Sequence, residues 1–256
     1  MQHISFSELK NWTTCSFYHK LVNIEKLKGF VGSEHTAFGT AIHEVYEKKV
    51  LGQIEDGDES RIFKKTFEEE ILKLLSDNVE LNEGLLSQMS SQGVSLSSKG
   101  IPALKQYFGK YEVFSAEERL YEKISDVEYF FKGYIDLVLK TPDGRYHIID
   151  WKTTSWGWDS RRRSDPMVTY QLTLYKHYFA KKHKINPKNI ETHFALAKRT
   201  ADKDQIEIFR VSSGPRKTEN ALKLLNKAIY NIQKKRYIKN RLSCERCDFY
   251  KTEHCR

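Results

Sequence analysis

The spacing of apolar residues changes near residue 111, and this change divides the chain into two regions. Before it, apolar residues recur every three or four positions, which is typical of amphipathic helices. We predict helices over 5–27, with Ser5 or Ser7 as the cap, over 37–51 and over 62–75. Residues 51–60 are polar and residues 76–100 are rich in Ser, Gln, Asn and Gly, so we predict surface loops in both segments.

After residue 111 the apolar runs are shorter and richer in β-branched and aromatic residues. They predict strands over 127–140, 145–154, 191–199 and 205–211, with a turn at 141–144 between the first two. Asp165 and Pro166 form a helix start, and that helix continues to about residue 182. A basic helix over 217–239 follows. Strands mixed with helices predict an α/β or α+β fold, with a mixed central sheet flanked by helices.

Composition narrows the class of partner. The chain has 256 residues, enough for one elaborated domain or two small ones, and its net charge is +9 with a pI of about 9.2. Such a surface attracts polyanions, either nucleic acid or an acidic membrane face, although a soluble basic protein is the simpler alternative. No apolar run is long enough to span a membrane, and the N-terminal residues lack a signal pattern. We therefore expect a cytoplasmic protein with no membrane partner.

The hairpin predicted at 127–154 carries two aspartates within apolar runs. A three-residue loop at 142–144 would place Asp136 opposite Asp150, and strand alternation puts Lys152 on the same face as Asp150. Like charges at paired positions are destabilising, so a cation is expected between them. That cation is either Lys152 or a divalent metal, for which two carboxylates, a carbonyl and waters are suitable ligands. A solvated hairpin, or a Lys–Asp ion pair that braces the sheet, is the structural alternative.

The residues of this hairpin resemble a nuclease signature. Gly-Tyr-Ile-Asp-Leu-Val at 133–138 and Ile-Asp-Trp-Lys-Thr at 149–153 resemble the signature of the PD-(D/E)XK superfamily. The RecB-like exonuclease branch adds Gln-x-x-x-Tyr, matched by Gln171 and Tyr175, and an upstream Gly-x-x-x-His, matched by Gly39 and His43. The motifs occur in the order typical of that branch, across about residues 5–256. The resemblance implies a restriction-endonuclease-like fold in a single nuclease domain, 1–256. Its parts would be a helical region at 1–110, a nuclease core at 111–240 and a cysteine-rich tail at 241–256.

The resemblance also implies roles for individual residues. Asp136, Asp150 and Lys152 would be catalytic, and Gln171 and Tyr175 would position substrate or metal-bound water. Mg²⁺ or Mn²⁺ would be bound by His43, Asp136, Asp150 and the Trp151 backbone carbonyl. Without the family, His43 is an ordinary core histidine, and Gln171 and Tyr175 belong to a helix face that packs an amphipathic tyrosine.

The loop that follows Lys152 contains two tryptophans and three consecutive arginines: Trp156, Trp158, Arg161, Arg162 and Arg163. Arginines bind phosphates and tryptophans stack on unpaired bases, so we expect this loop to bind DNA. A run of charges is otherwise a solvated face.

The four cysteines are divided between the two ends of the chain. Cys15 is alone, whereas Cys244, Cys247 and Cys255 form Cys-x₂-Cys-x₇-Cys. In a reducing compartment such cysteines bind metal or stay free, and four thiolates suit a tetrahedral ion or a cubane cluster. The arrangement resembles the iron–sulfur subset of RecB-like nucleases, the AddB-type and CRISPR-associated exonucleases, in which a [4Fe–4S] cluster joins the tail to the N-terminal helix. The x₇ spacing is wider than is usual there, so zinc remains an alternative.

These observations predict a metal-dependent DNA nuclease, more specifically an exonuclease. No helicase motif is present, so any unwinding would need a helicase or recombination partner. One alternative is a DNA-binding or recombination-accessory module whose nuclease site is vestigial. Another is a basic interaction domain held together by zinc.

Overall fold

A six-stranded mixed sheet lies between two layers of helices in the computed structural model, which describes residues 2–256. The strands are β1 (Gln2–Ser5), β2 (Glu112–Lys123), β3 (Tyr129–Lys140), β4 (Tyr146–Thr154), β5 (Ile190–Lys198) and β6 (Ile206–Val211). The order is β1-β3-β4-β5-β6, and β2 pairs with β3 as well. β1 is parallel to β3 and β4 is parallel to β5, whereas the other pairs are antiparallel.

The helices are α1 (Phe6–Thr14), α2 (Ser16–His19), α3 (Glu34–Val50), α4 (Glu59–Ser76), α5 (Glu83–Ser97), α6 (Gly100–Phe108), α7 (Ser160–Ser164), α8 (Pro166–His183) and α9 (Pro215–Gln233). A π-helical turn, Lys20–Ile24, follows α2, and 3₁₀ turns cover Pro187–Asn189 and Arg241–Arg246. One face of the sheet packs on α1, α8 and α9, and the other packs on α3 to α6. Among residues 2–256, no helix combines the length and the apolar character needed to cross a bilayer.

The predicted fold class is confirmed, and the local start signals explain several boundaries. Ser5 caps α1 in a capping box with Glu8. Asp165 accepts a hydrogen bond from the Met167 amide, and Pro166 occupies the first turn of α8, where no amide proton is needed. The four predicted strands agree with β3 to β6 to within two residues at each end.

The loop predicted over 76–100 is wrong, because α5 occupies most of it. Its apolar residues, although interspersed with serines, pack against α3 and α4. Gly93 is part of this packing: a Cβ atom there would lie 1.8 Å from Cζ of Phe63. Gly93, whose residue type favours a loop, is therefore a point of close contact between α4 and α5.

The predicted first helix is interrupted, and two strands were not predicted. Cys15 has extended backbone angles (φ −161°, ψ 111°) and separates α1 from α2. The last helix ends at Gln233, not 239. β1 is too short, and β2 too mixed in polarity, for either to have a clear period of two.

Candidate active site

The two aspartates of the hairpin lie where β3 and β4 separate. β2 occupies one edge of β3, so β1 and β4 share the other edge: β1 pairs with 129–132 and β4 with 137–140. The last pair of the β3–β4 ladder is Leu137 with Ile149, and the next positions along the same register are Asp136 and Asp150. The Trp151 amide donates to the Asp136 carboxylate at 2.7 Å.

The turn that sets this register has the predicted form. The Thr141 amide donates to the Arg145 carbonyl at 3.0 Å, and Gly144 has φ +82°. This left-handed conformation is accessible to glycine at little cost. The predicted opposition of Asp136 and Asp150 agrees with the observed register.

The alternation of side chains along β3 is broken at Asp136. Ile135 packs on the α8 side of the sheet, whereas Leu137, two residues later, packs on the α3 side. Glu117, at the corresponding position of β2, has the uncommon φ of +47°. The sheet is therefore irregular in two neighbouring strands at this level, and the Asp136 carboxylate can approach α3.

Four side chains converge at this irregularity. Asp150 is 1% exposed, and its Oδ2 lies 2.6 Å from Nζ of Lys152. Among the described residues 2–256, that oxygen has no hydrogen bond of good geometry. Nδ1 of His43, on α3, lies 3.6 Å from Oδ2 of Asp136. The structure thus brings together His43, Asp136, Asp150 and Lys152, four residues that the sequence motifs selected.

Burial and crowding shift the charges of this group. Burial, together with the neighbouring Asp150 carboxylate, raises the pKa of Asp136 to about 8, although Lys152 and the Trp151 amide oppose the shift. Burial lowers the pKa of Lys152, but Asp150 and Asp136 outweigh it and raise the pKa above its usual value. Burial and the Lys152 cation lower the pKa of His43, which favours a neutral imidazole. A neutral imidazole can bind a metal.

Two further acidic residues, Glu47 and Glu117, belong to the site and were not predicted. Both face a cleft of about 540 Å³ on the α3 side, together with His43 and Glu44. Although Glu117 keeps contact with solvent, partial burial and the Asp136 and Glu47 carboxylates raise its pKa to about 7. Glu47 is four residues after His43, so helical spacing could have identified it. Glu117 lies on the unpredicted β2, and nothing in the sequence pointed to it.

A second groove, of about 670 Å³, opens on the α8 side and contains the other predicted residues. Lys152, Gln171 and Tyr175 line it, and Nε2 of Gln171 donates to the Tyr175 hydroxyl at 3.2 Å. Tyr175 packs on Gly133, where a Cβ atom would lie 2.7 Å from the tyrosine ring. Burial and the Asp150 carboxylate raise the pKa of Tyr175, so its hydroxyl stays protonated.

The structure divides the arginine and tryptophan loop into two groups. Trp156 is 69% exposed, and Arg161 and Arg162 are also exposed. Trp158 is only 7% exposed and packs on Phe194 in the core, which leaves little of its ring for stacking on a base. Arg163 forms an ion pair with Glu207 and donates to the Trp158 carbonyl. Trp158 and Arg163 therefore stabilise the loop, in contrast to the stacking and phosphate contacts expected of them.

The cysteines from the two ends of the chain lie in one region. Sγ of Cys15 is 3.6 Å from the Ile238 carbonyl oxygen, and the Asn240 amide donates to it at 3.4 Å. Cys244 approaches the same segment, with its Sγ 3.8 Å from the Asn240 carbonyl oxygen. Burial and, among other neighbours, the Cys255 and Cys15 thiols raise the pKa of Cys247.

The donor atoms at the strand irregularity fit a hard divalent cation. Two carboxylates and an imidazole lie near one another there, with Nδ1 of His43 3.6 Å from Oδ2 of Asp136, and the Trp151 backbone lies beside His43. Among residues 2–256, the ligand atoms of His43, Asp136 and Asp150 are not all within 4.8 Å of one another, so these side chains must close around an ion. Mg²⁺ and Mn²⁺ accept carboxylate and carbonyl oxygens, and Mn²⁺ accepts imidazole as well. A buried carboxylate oxygen without a well-aligned hydrogen bond, such as Oδ2 of Asp150, has an unused lone pair for a cation.

Comparison with known proteins gives a consistent result. The chain resembles the crystal structure of a "putative exonuclease" from Eubacterium rectale with a TM-score of 0.62 and 14% identity, covering 96% of this chain and 86% of that one. A crystal structure of SSO0001 has 14% identity and covers 81% of this chain and 91% of that one, but its TM-score of 0.38 supports no argument. No curated protein matches the chain. The family model of the PD-(D/E)XK nuclease superfamily matches residues 3–252, and the chain belongs to that superfamily.

Proposed function

We propose that this protein is a metal-dependent deoxyribonuclease that degrades DNA from an end. The observation that carries the proposal is that Asp136, with its side chain 17% exposed, and Asp150, with its side chain 1% exposed, lie opposite each other where β3 and β4 separate, with Lys152 in contact with Asp150. Two buried carboxylates are costly to hold together unless a cation lies between them. A site for a divalent metal is a physical reason to keep them.

In this proposal Asp136, Asp150, His43 and the Trp151 carbonyl hold Mg²⁺ or Mn²⁺. When bound, such an ion polarises a phosphodiester and lowers the pKa of a water molecule. Lys152, held by Asp150 at 2.6 Å, presents an ammonium group that stabilises negative charge on the phosphate and orients the attacking water. Gln171 and Tyr175 donate hydrogen bonds from the floor of the neighbouring groove and position the phosphate that carries the scissile bond.

The two clefts suggest how the strand is placed. The groove on the α8 side includes the cations Lys10, Lys132, Lys152 and Arg162, and the exposed Trp156 and Arg161 lie in the adjoining loop. Cations attract the phosphate backbone and an exposed indole stacks on a base. We therefore assign this groove to the DNA strand, with Trp158 and Arg163 as its structural support.

The cleft on the other side of the carboxylates supports digestion from an end. It is lined by Glu44, Glu47 and Glu117, with Lys48 as a cation beside them. A continuous strand that crossed the site would bring its phosphates against these carboxylates, which repel them. A strand that terminates at the metal avoids that repulsion. An exonuclease therefore fits this charge distribution better than an endonuclease.

The cleavage test uses Asp136→Asn, Asp150→Asn and Lys152→Met, with Asp202→Asn, in an exposed loop, as the matched control. Linear end-labelled and circular DNA, single- and double-stranded, are incubated with Mg²⁺, Mn²⁺ or EDTA. We expect the parent and control proteins to degrade linear but not circular DNA, only with metal. The three site variants should lose cleavage while DNA binding stays within a few-fold, because affinity comes from distributed cations.

The results also separate the rival functions. Binding without cleavage by the parent protein under all conditions would support the accessory module with a vestigial site. Cleavage of circular DNA would support an endonuclease. Persistent cleavage by Asp150→Asn would show that Asp150 is not required as a metal ligand for catalysis.

We further propose that Cys15, Cys244, Cys247 and Cys255 bind a [4Fe–4S] cluster. Four thiols divided between the two ends of the chain match the ligand count of a cubane cluster, and Cys15 and Cys244 both lie against the segment 238–240. One zinc ion is the alternative with the same ligand count.

Any helicase or recombination partner would act on the DNA that enters the groove.

A further inference from the structure

Two histidines and a glutamate form a cluster that takes no part in the proposed nuclease site. His147 on β4 pairs in the ladder with Glu191 on β5, and His193 is two residues further along β5. One nitrogen or oxygen of each side chain lies within 4.8 Å of the others. The cluster lines a surface pocket of about 490 Å³ beside α6 and the β3–β4 turn.

The turn fixes the proton on His147. Oγ1 of Thr141 donates its single proton to the Asp143 carboxylate at 2.5 Å, and it lies 3.0 Å from Nε2 of His147. Because that hydroxyl proton is already used, Nε2–H of His147 must be the donor to Thr141. Nδ1 of His147 then carries a lone pair and no proton. It faces Oε2 of Glu191, another acceptor, at 3.8 Å.

Nδ1 of His147 and Oε2 of Glu191 both carry lone pairs and have no proton between them, so a cation between them would be bound by both. Nδ1 of His147 is buried and has no hydrogen-bond partner among residues 2–256. Its side chain is 9% exposed and that of His193 is 2% exposed. Nε2 of His193 lies 3.9 Å from the same Oε2 of Glu191, and the two imidazole rings are 5.4 Å apart. The two imidazole nitrogens therefore lie on either side of the same carboxylate oxygen, Oε2 of Glu191.

The surroundings hold these donors in place. Oε1 of Glu191 is engaged by Arg145 at 2.8 Å and by Arg210 at 3.3 Å, so the carboxylate presents only Oε2 to the histidines. Phe108 packs on both imidazoles, with ring centroids 4.9 and 5.1 Å away. Burial lowers the pKa of His147 and of His193, the latter to about 3, and both rings are neutral.

We propose that His147, Glu191 and His193 form a second metal site, which binds a transition-metal ion of the Zn²⁺ type. Two imidazoles and one carboxylate are a common zinc ligand set, and a set in which imidazoles outnumber oxygen ligands favours such an ion over Mg²⁺ and Ca²⁺. Such an ion would join β4 to β5, and the pocket would give it access to solvent. Arg145 and Arg210 add positive charge nearby, so the affinity is moderate.

This site is separate from the nuclease centre. Three residues along an extended strand place His147 about 10 Å from Asp150, with the two side chains on opposite faces of β4. His147 shares its face with Ile149 and Trp151, whereas Asp150 shares its face with Ile148. Removal of one metal therefore need not remove the other, and the two proposals can fail independently.

The test measures Co²⁺ binding by visible absorption, with the full-length chain in its cluster-loaded form and carrying Asp136→Asn and Asp150→Asn. In the difference spectrum against the same protein without cobalt, we expect one equivalent of Co²⁺ with nitrogen- and oxygen-type bands and no added thiolate-to-cobalt charge-transfer band. In the same background, His147→Ala and Glu191→Gln should weaken binding more than about tenfold. Thr141→Val, which removes the hydroxyl that fixes the imidazole tautomer, should weaken it about tenfold. His35→Ala, at an exposed histidine on α3, is the matched control and should bind as the parent does.

Several results would overturn the proposal. They are equal Co²⁺ affinity in His147→Ala, Glu191→Gln and the parent, a difference spectrum dominated by thiolate-to-cobalt bands, or no binding in the Asp136→Asn, Asp150→Asn background. Circular dichroism of each variant without metal shows whether its fold is intact. Glu191→Gln and Thr141→Val conserve side-chain size and keep the test valid if His147→Ala fails to fold. The proposal is retained only if folded variants lose the ion.

Discussion

The protonation state of Asp136 is set by contacts that act in opposite directions. Its carboxylate accepts the Trp151 amide proton, which stabilises the ionised form, but burial and Asp150 disfavour ionisation more strongly and raise the pKa to about 8. Without metal, this residue holds a proton at neutral pH. A divalent cation must displace that proton, so metal binding is linked to pH through this residue.

The raised pKa of Asp136 predicts how the metal-free protein responds to pH. A carboxyl group with a folded-state pKa of about 8 and an unfolded-state value of 3.8 binds more protons when folded, between those two values. The contribution of Asp136 to the free energy of unfolding should therefore fall as pH rises from about 4 to about 8. Asp136→Asn should flatten that fall by on the order of 1 kcal/mol or more, as measured by urea unfolding in EDTA.

The control for this experiment is Asp202→Asn, whose carboxyl group is on the surface. Its stability curve should run parallel to that of the parent across the whole pH range. If the Asp136→Asn curve is also parallel, Asp136 is ionised in the folded protein, and the argument from burial is wrong.

The positions of site residues that a local turn determines could be predicted from the sequence. The positions of residues that depend on contacts with distant strands could not. The turn at 141–144 fixes a register, and the register alone placed Asp136 opposite Asp150. Glu117 reaches the same point from β2, through a contact that depends on strand pairing across the sheet. Burial of Trp158 was also beyond the sequence pattern, because it depends on packing against Phe194 of β5.

At the scale of elements, α5 shows how composition can conceal a helix. Serines and glycines in this segment suggested a loop, yet Asn82 caps the helix by accepting the Leu85 amide proton. Gly93 lets α5 approach α4 so closely that the Phe63 ring occupies the space of a side chain. Tertiary packing here outweighs the low helix propensity of glycine.

This contact predicts opposite effects for two glycines of α5. Gly93→Ala would place its methyl group 1.8 Å from Phe63, so α5 must shift and the protein should lose about 1–3 kcal/mol of stability. Gly84→Ala, near the start of α5, meets its nearest neighbour only at 3.4 Å and should be neutral or stabilising by up to about 1 kcal/mol. Thermal and urea unfolding measure both changes.

A second substitution tests the cause. If the Phe63 ring is the obstacle, Phe63→Leu should cost less stability in the Gly93→Ala protein than in the parent, so the two changes are less than additive in a double-mutant cycle. Additive effects would mean that Gly93 acts through backbone flexibility, and the account of close helix contact would be wrong.

At the scale of the whole molecule, the N-terminal segment makes two contacts with distant parts of the chain. β1 pairs in parallel with β3, more than 120 residues later, and Cys15 lies against the segment 238–240. The break between α1 and α2 is at Cys15, where an extended residue directs the chain toward the tail. The residue pattern predicted the fold class but not these contacts, because pairing between distant segments leaves no local period.

The last prediction concerns the second of these contacts, at the cysteines. Purified without oxygen, the protein should be brown and contain about four iron and four sulfide per chain, as a cubane requires. A cluster that joins Cys15 to Cys244 closes a loop of roughly 230 residues, which by chain entropy stabilises the folded state by up to about 5 kcal/mol. Cys15→Ser and Cys255→Ser should therefore bleach the protein and lower its melting temperature. Leu242→Ala, at a tail residue that is 96% exposed, should do neither.

Two outcomes of this experiment would contradict the cluster in different ways. A colourless anaerobic protein with one zinc would mean that the four cysteines bind zinc and not a cubane, and that a metal still links the two chain ends. Unchanged melting of both Cys→Ser proteins would remove the link itself. DNA cleavage should decline in the Cys→Ser proteins only as their folded fraction declines, because no thiol lies among the residues that converge on Asp136 and Asp150. Cleavage that is lost in fully folded Cys→Ser protein would instead give the cluster a direct part in the reaction.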